Sequence, residues 1–294
     1  MSDPLWTDAE TLAAAALIEL ALREDLGDAG DLTTQALIGE SETGRVSIVA
    51  RETGVLAGLP IAKQVLTAFD PQLTLTIFQS DGAHLERGLV VAQVAGNLRS
   101  LLAAERTALN FLTHLSGIAS LTRKYVEAVA GTRAGIYDTR KTHPGWRVLE
   151  KYAVRVGGGR NHRIGLYDMV LIKDNHLAGW KLSSTGHTIA AAVQKARQSA
   201  PPGTPVEVEI DTLDQLPDAL AGEPDIVLLD NMTCAELRQA VAFRQRLAPT
   251  VELEASGGVS LETVQAIAQT GVDRISAGAL THSAIALDLA FDWA

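Results

Sequence analysis

Short apolar runs alternate with helix-like segments through the second half of the chain, and this rhythm constrains the fold more than any other feature of the sequence. The strand-like runs are GIYD at 135–138, MVLIKD at 169–174, VEVEI at 206–210, DIVLLD at 225–230, VELEAS at 251–256 and RISAGA at 274–279. The last four are spaced by roughly 20–25 residues, which is the length of a βα unit. The pattern therefore predicts a parallel α/β sheet.

Polar residues or glycines stand at the carboxyl end of nearly every one of these predicted strands. They are Asp138, Arg140, Lys141, Lys173, Asp174, Glu209, Asp230, Asn231, Ser256, Gly257, Gly258 and Gly278. In a parallel α/β barrel such ends meet on one face, where active sites are built. An open doubly wound sheet would gather them only at a switch point. Since six strands are fewer than a full barrel needs, we predict an incomplete or distorted barrel.

The first half of the chain has a different pattern. Three short apolar runs, VSIVA, LTLTIF and LVVAQV, are separated by Gly, Pro and Asp, which indicates a small mixed sheet. A long helix-like segment follows from Asn97 to Ala130, with Gly117 as the point where it could break. We therefore predict an α/β protein, with a small N-terminal α+β domain over residues 1–117 and an incomplete parallel (β/α) barrel over residues 118–294.

The charge distribution is uneven along the chain. The formal net charge is -10, which argues against a nucleic acid as partner because phosphate backbones need a broad basic face. Between Asp138 and Lys173, however, basic residues clearly outnumber acidic ones. The basic residues are Arg140, Lys141, Arg147, Lys151, Arg155, Arg160, Arg163 and Lys173. A local basic pocket in an acidic protein suits a small ligand with several anionic groups.

The cysteine content and the lack of a long apolar run indicate the cellular compartment. Cys234 is the single cysteine, which excludes an internal disulfide and fits a reducing cytosol. The amino-terminal sequence is acidic, and no uninterrupted apolar run reaches about 18 residues. We expect neither a signal peptide nor a membrane span, and hence a cytoplasmic protein without a membrane partner.

Three of the cations come from different predicted strand ends or loops and could point into one pocket: Arg140, Arg163 and Lys173. Arginine offers a planar fork that matches a carboxylate or phosphate, and lysine acts as a compact point charge. The alternative is a set of surface residues in salt bridges. His162 lies next to Arg163 and could donate a hydrogen bond to the ligand, carry a proton, or serve only as a structural histidine.

Carboxylates and small residues occupy the other predicted strand ends. Glu209 and Asp230 could hold sugar hydroxyls, stabilise a developing positive charge, hold Mg²⁺ through water, or simply pair with Lys141 or Lys173. The segments ASGG at 255–258 and SAGALTHS at 276–283 place small residues where backbone N–H groups can approach an anion. No His, Cys and Asp cluster has the spacing of a transition-metal site, so we expect no zinc.

With these residues identified, the sequence resembles the quinolinate phosphoribosyltransferase family over almost its whole length. The segments that carry the resemblance are EDLGDAGDLTT at 24–34, AERTALNFLTHLSGIA at 104–119, the long run from Asp138 to His176, VEVEID at 206–211, LLDNM at 228–232, EASGG at 254–258 and ISAGALTHS at 275–283. The resemblance implies phosphoribosyl transfer from phosphoribosyl pyrophosphate to quinolinate with decarboxylation, giving nicotinate mononucleotide. It also implies a homodimer with sites at the subunit interface.

The resemblance also implies roles for individual residues. The residues that would bind the pyridine dicarboxylate are Arg140, His162, Arg163, Lys173 and, from the partner subunit, Arg106. The catalytic residues Lys141, Glu209 and Asp230 would hold the sugar donor and its Mg²⁺, with Glu209 and Asp230 binding the metal through water. The residues that would line the site for the phosphate end of the sugar donor are Ser256, Gly257, Gly258, Gly278 and His282. The segment HLAGWKLSSTGHT at 176–188 matches no fixed motif, and a covering role for it is one interpretation.

Two alternatives to this function stay open. A paralogue with the same fold could have changed its anionic substrate, for example in association with molybdate uptake. A non-catalytic barrel could bind phosphorylated metabolites without turnover. The presence of both Glu209 and Asp230 argues against the second, since a module that binds anions gains little from carboxylates.

Overall fold

The computed structural model describes residues 6–183 and 187–293, with side chains of 181–183 excluded. Residues 184–186 of the 176–188 segment therefore lie outside the described part, and residues 174–183 are helical. Contacts divide the chain into two compact units. The first comprises the chain up to Arg123, Thr142–Gly158 and the chain from Leu280, and the second comprises Lys124–Lys141 and Gly159–Ala279. None of the helices in the described ranges has the length and apolarity that a membrane span requires.

The helices, in chain order, are α1 (Asp8–Leu26), α2 (Leu32–Leu37), α3 (Leu59–Phe69), α4 (Leu98–Ala128), α5 (Arg147–Val156), α6 (Asp174–Ser183), α7 (Ile189–Ser199), α8 (Leu216–Ala221), α9 (Cys234–Leu247), α10 (Val264–Ala268) and α11 (Ala279–His282). A short 3-10 helix at Leu213–Gln215 precedes α8. Threonine side chains cap several amino termini. Thr7 and Thr233 each form a reciprocal capping box with a glutamate three residues later.

The strands are β1 (Thr43–Ala50), β2 (Gly54–Val55), β3 (Thr74–Ile77), β4 (His84–Leu85), β5 (Val90–Asn97), β6 (Gly135–Tyr137), β7 (Val170–Ile172), β8 (Val206–Ile210), β9 (Ile226–Asp230), β10 (Glu252–Ser256), β11 (Arg274–Ser276) and β12 (Leu289–Trp293). Each of the six strand-like runs of the second half contains one of the strands β6 to β11.

The first unit is built on an antiparallel sheet in the order β12-β1-β5-β3, with β2 and β4 forming a separate pair. The predicted break at Gly117 is wrong, because α4 continues through it. A Cβ at Gly117 would lie 2.1 Å from the carbonyl oxygen of Ile285, so the glycine allows this backbone to approach the helix.

The second unit contains a parallel sheet in the order β6-β11-β10-β9-β8-β7. All five residues of β8 are buried, as are four of the five in β9, which is typical of parallel strands covered on both faces. The six parallel strands and their helices confirm the predicted incomplete barrel, and the first unit confirms the predicted small α+β domain at the amino terminus.

The compact units are not consecutive segments of chain. β12, at the carboxyl terminus, joins the first unit because it pairs with β1 over five residues from Val46 to Ala50. Thr142–Gly158, which includes α5, also belongs to the first unit. The boundary after residue 117 stays a prediction about which segments fold independently.

Candidate active site

The carboxyl edge of the parallel sheet gathers most of the predicted site residues. Arg140 and Lys141 follow β6, Lys173 follows β7, Glu209 is the penultimate residue of β8, Asp230 and Ser256 end β9 and β10, and Gly278 follows β11. The strand register supports this alignment, since Asp230 lies opposite Ser256 in the ladder between β9 and β10. Parallel strands place their carboxyl ends at one edge, so residues far apart in sequence meet there.

Four residues at this edge, which we call the edge cluster, are Lys173, Glu209, Asp211 and Asp230. The ammonium nitrogen of Lys173 lies 2.5 Å from Oε2 of Glu209. One carboxylate oxygen from each of Glu209, Asp211 and Asp230 lies within 4.8 Å of the others. Hard oxygen donors of this kind are the ligands that Mg²⁺ prefers. The donor set of the edge cluster therefore fits the metal expected from the sequence.

Asp211 was missed by the sequence reasoning. It directly follows β8, and its side chain is exposed while those of the strand are buried. The run VEVEID offers three acids in five positions, and the alternation of a strand selects Glu207 and Glu209 as one face. Asp211 continues that same alternation past the end of the strand, which was the signal available in the sequence.

A tight backbone arrangement fixes the end of β9 against the end of β10. Asn231 has φ 53°, and Gly257 has φ 89°, both in the left-handed region. The Asn231 N–H donates to the Ser256 carbonyl at 2.9 Å, and its side-chain amide donates to Oδ2 of Asp230 at 2.7 Å. A Cβ at Gly257 would lie 2.2 Å from Oδ1 of Asn231. Glycine is therefore required at 257, and the arrangement orients the Asp230 carboxylate.

Residues 161–163 are anchored by one buried carboxylate. Oδ1 of Asp138 accepts the backbone N–H of His162 at 2.9 Å, and Oδ2 accepts the side-chain amide of Asn161 at 2.6 Å. Arg163 is buried, and its guanidinium donates to the Met169 carbonyl at 3.2 Å. Burial, and after it the charge of Arg140, lowers the pKa of Arg163. The charge of Arg140 is therefore close enough to act on the guanidinium of Arg163.

Below the edge lies a second group of charges, which we call the inner layer: His162, Glu207, Glu254 and Arg274. Glu207 and Glu254 are completely buried. Burial raises the pKa of Glu207 to about 7, although Arg274, Arg163 and Lys173 act to lower it. Burial is also the main reason why the pKa of Glu254 is raised, and the charge of Glu207 adds to it. Glu207, Glu254 and Arg274 were not among the predicted site residues.

Arg106 and His282 belong to the first compact unit. Arg106 is exposed on α4. His282 is exposed at the end of α11, where its Nδ1 lies 2.7 Å from the hydroxyl of Ser283. The roles expected for both residues, like those of the glycines at 257, 258 and 278, stay predictions.

The first unit also contains a group of metal-ligand type that sequence spacing did not reveal. His114 and His143 approach the same oxygen of the buried Glu150, at 3.0 and 2.6 Å. These are hydrogen-bond distances, and the backbone N–H of His143 donates to the other oxygen at 3.2 Å. The contacts satisfy a buried carboxylate, and the expectation of no zinc stays a prediction.

Comparison with protein families gives a match over almost the whole chain. Residues 31–116 match the N-terminal domain of quinolinate phosphoribosyl transferase, and residues 118–292 match its C-terminal domain.

Individual proteins agree with this match. The nicotinate-nucleotide pyrophosphorylase (carboxylating) of Mycobacterium leprae is 47% identical over 290 residues, which cover 98% of this chain and 100% of the relative. A probable nicotinate-nucleotide pyrophosphorylase (carboxylating) of Bacillus subtilis is 42% identical over 92% of this chain and 89% of its own length. The crystal structure of NadC from Streptococcus pyogenes superposes with a TM-score of 0.90, at 39% identity and with 100% of both chains covered.

Proposed function

Because the chain belongs to the quinolinate phosphoribosyl transferase family, we propose that it transfers the phosphoribosyl group of phosphoribosyl pyrophosphate to quinolinate with loss of CO₂. The products are nicotinate mononucleotide, pyrophosphate and CO₂, in the de novo biosynthesis of NAD. The observation that carries the proposal is the edge cluster, which places three carboxylates and a lysine at the same sheet edge as Arg140 and Lys141.

Quinolinate is held by the cations, because it brings two carboxylates to one small ring. Arg140, Arg163 and Lys173 bind these groups, with guanidinium forks on the carboxylates and the ammonium as a point charge. The influence of Arg140 on the pKa of Arg163 supports a shared pocket. His162, directly before Arg163, is a further contact to the dicarboxylate.

The sugar donor is held by Lys141 and the acids of the edge cluster, with its phosphate end bounded by Ser256, Gly257, Gly258, Gly278 and His282. Mg²⁺, held by Glu209 and Asp230 through water, supplies positive charge to the pyrophosphate when it is bound. Gly258 has φ 59° and no atom within 4 Å of the position that a Cβ would take, which supports a site in which an anion comes close to this backbone.

The transfer proceeds from the pyridine nitrogen. Its lone pair forms a bond to the anomeric carbon as the bond from that carbon to pyrophosphate breaks, and pyrophosphate departs with the electron pair. Positive charge develops on the sugar, so Glu209 or Asp230 nearby stabilises the transition state. Lys141 stabilises the leaving group.

Decarboxylation follows on the alkylated ring. The bond between ring carbon 2 and its carboxylate breaks, CO₂ leaves, and the electron pair remains on the carbon beside the cationic nitrogen. A proton from solvent then takes its place. The protein contributes to this step by orienting the ring.

We further propose a cytoplasmic homodimer in which Arg106 reaches the quinolinate pocket of the partner subunit. The exposure of Arg106 on α4 supports a role outside the core of its own unit.

The proposal is tested by a product assay on the purified protein with phosphoribosyl pyrophosphate and Mg²⁺. Quinolinate with ¹³C in its 2-carboxylate is supplied in one reaction and nicotinate in another. We expect nicotinate mononucleotide and an equal amount of labelled CO₂ from quinolinate, with little product from nicotinate. Folded protein that turns over neither compound would contradict the proposal and favour a paralogue with another anionic substrate. Product from nicotinate at the same rate would contradict the dicarboxylate pocket.

A further inference from the structure

One buried carboxylate of the first unit is shared by two imidazoles. Oε1 of Glu150 lies 3.0 Å from Nε2 of His114 and 2.6 Å from Nδ1 of His143. The side chain of Glu150 is 0% exposed, whereas those of His114 and His143 are 23% and 56% exposed. These three side chains, which we call the His–Glu group, are therefore anchored in the interior and reachable from solvent on the side of His143.

Two helices and a loop of the first unit bring the His–Glu group together. His114 lies on α4, Glu150 lies in the first turn of α5, and His143 lies in the loop that leads into α5. The backbone N–H of His143 donates to Oε2 of Glu150 at 3.2 Å. One carboxylate oxygen therefore fixes the loop, while the other oxygen faces both imidazoles.

The two imidazole rings are crossed rather than stacked. Their centroids are 5.4 Å apart and their planes meet at 77°. The ring of His114 also contacts Trp146 edge to face at 5.1 Å, and Trp146 stacks on Phe111 at 4.8 Å. The aromatic contacts support the orientation of His114. One nitrogen from each imidazole and one oxygen of Glu150 lie within 4.8 Å of one another, which is close enough to share a single ion.

Two imidazole nitrogens and one carboxylate oxygen are the protein ligands of a common type of zinc site, in which water takes the fourth position. Zinc bonds of about 2.0–2.2 Å in a tetrahedron place the ligand atoms about 3.3–3.5 Å apart. The observed distances to Oε1 are shorter, so the imidazoles must move outward by less than about 1 Å. A neutral imidazole carries its proton on either nitrogen, so both rings can free the nitrogen that faces Glu150.

We propose that His114, His143 and Glu150 bind Zn²⁺ or a similar divalent ion that prefers imidazole ligands. The ion takes the place of two N–H···O hydrogen bonds and links α4 to α5. The edge cluster, with three carboxylates and a lysine, suits Mg²⁺ instead, so the two groups select different ions. The expectation of no zinc considered only spacing along the chain, and the proposal replaces it because the fold joins ligands that lie far apart in sequence.

The first experiment measures binding of Zn²⁺ to the purified, tag-free protein by competition with a chelating dye. Millimolar Mg²⁺ is present throughout to occupy the edge cluster. We expect one Zn²⁺ per chain with a Kd of about 1 μM or tighter. His143→Ala should weaken this binding at least about tenfold. His84→Ala, which removes an exposed histidine on β4 of the same unit, should stay within about twofold of wild type.

Two results of this titration would overturn the proposal. One is the lack of any Zn²⁺ binding by the wild-type protein at concentrations up to about 100 μM. The other is a Kd that is the same in His143→Ala as in wild type, since it would place the bound ion elsewhere. His143 is the most exposed of the three ligands, so its substitution is compatible with folding.

A crystallographic measurement on the wild-type protein locates the ion without any variant. Crystals soaked in Zn²⁺ are measured at the zinc absorption edge. We expect an anomalous peak about 2.0–2.2 Å from Nε2 of His114, Nδ1 of His143 and an oxygen of Glu150. A peak at the edge cluster alone, or no peak, would overturn the proposal. Neither experiment needs turnover, so failure of this site is distinguishable from failure of the proposed function.

Discussion

Strand β8 carries one carboxylate in each of two layers, and the two carboxylates have different surroundings. Glu209, in the edge cluster, is paired with Lys173 at 2.5 Å and lies near Asp211 and Asp230. Glu207, two residues earlier on the same face of the strand, is completely buried in the inner layer, and the nearest described donor is the imidazole of His162. A shift of two residues along one strand therefore moves a carboxylate from the carboxyl edge of the sheet, beside Lys173 and the exposed Asp211, to the interior.

The comparison shows how a barrel can use the same residue types for two purposes. Charges at the edge face ligands that bring their own countercharges, so several cations and acids can coexist there. Charges in the interior are closed off from solvent, and their value lies in fixing orientation. Removing an edge residue should change binding of one substrate, while removing an inner residue should change geometry and stability.

The largest expected effect on ligand binding comes from Arg163, whose backbone N–H donates to His162 of the inner layer. Arg163→Ala should reduce quinolinate binding at least about a hundredfold, because a buried fork aimed at a carboxylate is lost. Binding of phosphoribosyl pyrophosphate should remain within about threefold, and calorimetric titration of each ligand measures both. Arg197→Ala, which removes an exposed arginine paired with Asp225, is the matched control. Equal loss of both ligands in Arg163→Ala would contradict the division of labour at the edge.

The next effect is at the edge itself. Arg140→Lys should lower kcat/KM for quinolinate by about tenfold or more, because one ammonium cannot reproduce a bidentate fork. Arg133→Lys, at an exposed arginine that pairs with Asp273, keeps the same chemical change away from the edge and should stay near wild type. Near-normal kinetics for Arg140→Lys would place Arg140 outside the pocket.

A moderate effect is expected at the acids of the edge cluster. Asp230→Asn should raise the Mg²⁺ concentration for half-maximal activity about tenfold, since a neutral amide is a weaker partner for a hydrated divalent cation. Asp214→Asn changes an exposed aspartate three residues after Asp211 in the sequence and serves as the control. The Mg²⁺ dependence of initial rates measures the effect, and an unchanged midpoint would remove Asp230 from the metal site.

The smallest effect is a change in stability with pH in the inner layer. The pKa of Glu207 is raised by burial from 4.5 to about 7, so between these values the folded protein holds a proton that the unfolded chain releases. This group therefore makes the free energy of unfolding fall as pH rises from 4.5 to about 7. Glu207→Gln removes that dependence.

Relative to wild type, the Glu207→Gln variant should gain about 1–3 kcal/mol of stability across this window, with no further gain above it. Denaturant unfolding of both proteins at several pH values measures the difference. A difference that is constant with pH would show that Glu207 is ionised throughout.

Sequence reasoning identified the residues at the edge and, of the inner layer, only His162. The alternation of strand-like and helix-like segments predicts a parallel sheet, whose strands have their carboxyl ends at one edge. Arg140, Lys173, Glu209 and Asp230 could therefore be predicted to meet from their positions alone. The resemblance to a family added Arg106, whose place on an exposed helical face carries no signal of its own.

The inner layer is defined by distances between side chains, and a sequence pattern does not show these distances. Glu254 and Arg274 stand in separate runs, and only the strand order places β10 beside β11. The orientation of the His162 ring depends on an N–H of the next residue, which sequence cannot reveal. For the same reason the continuity of α4 through Gly117 was missed, since the close approach of Ile285 comes from a distant part of the chain.

The most direct test of the account is equilibrium binding of three pyridine acids to the wild-type protein. Quinolinate carries carboxylates at ring positions 2 and 3, nicotinate only the one at 3, and picolinate only the one at 2. If the cations at the edge bind both carboxylates, nicotinate and picolinate should each bind at least about tenfold more weakly than quinolinate. Comparable affinity of quinolinate and either monocarboxylate would contradict the claim that this pocket recognises a dicarboxylate.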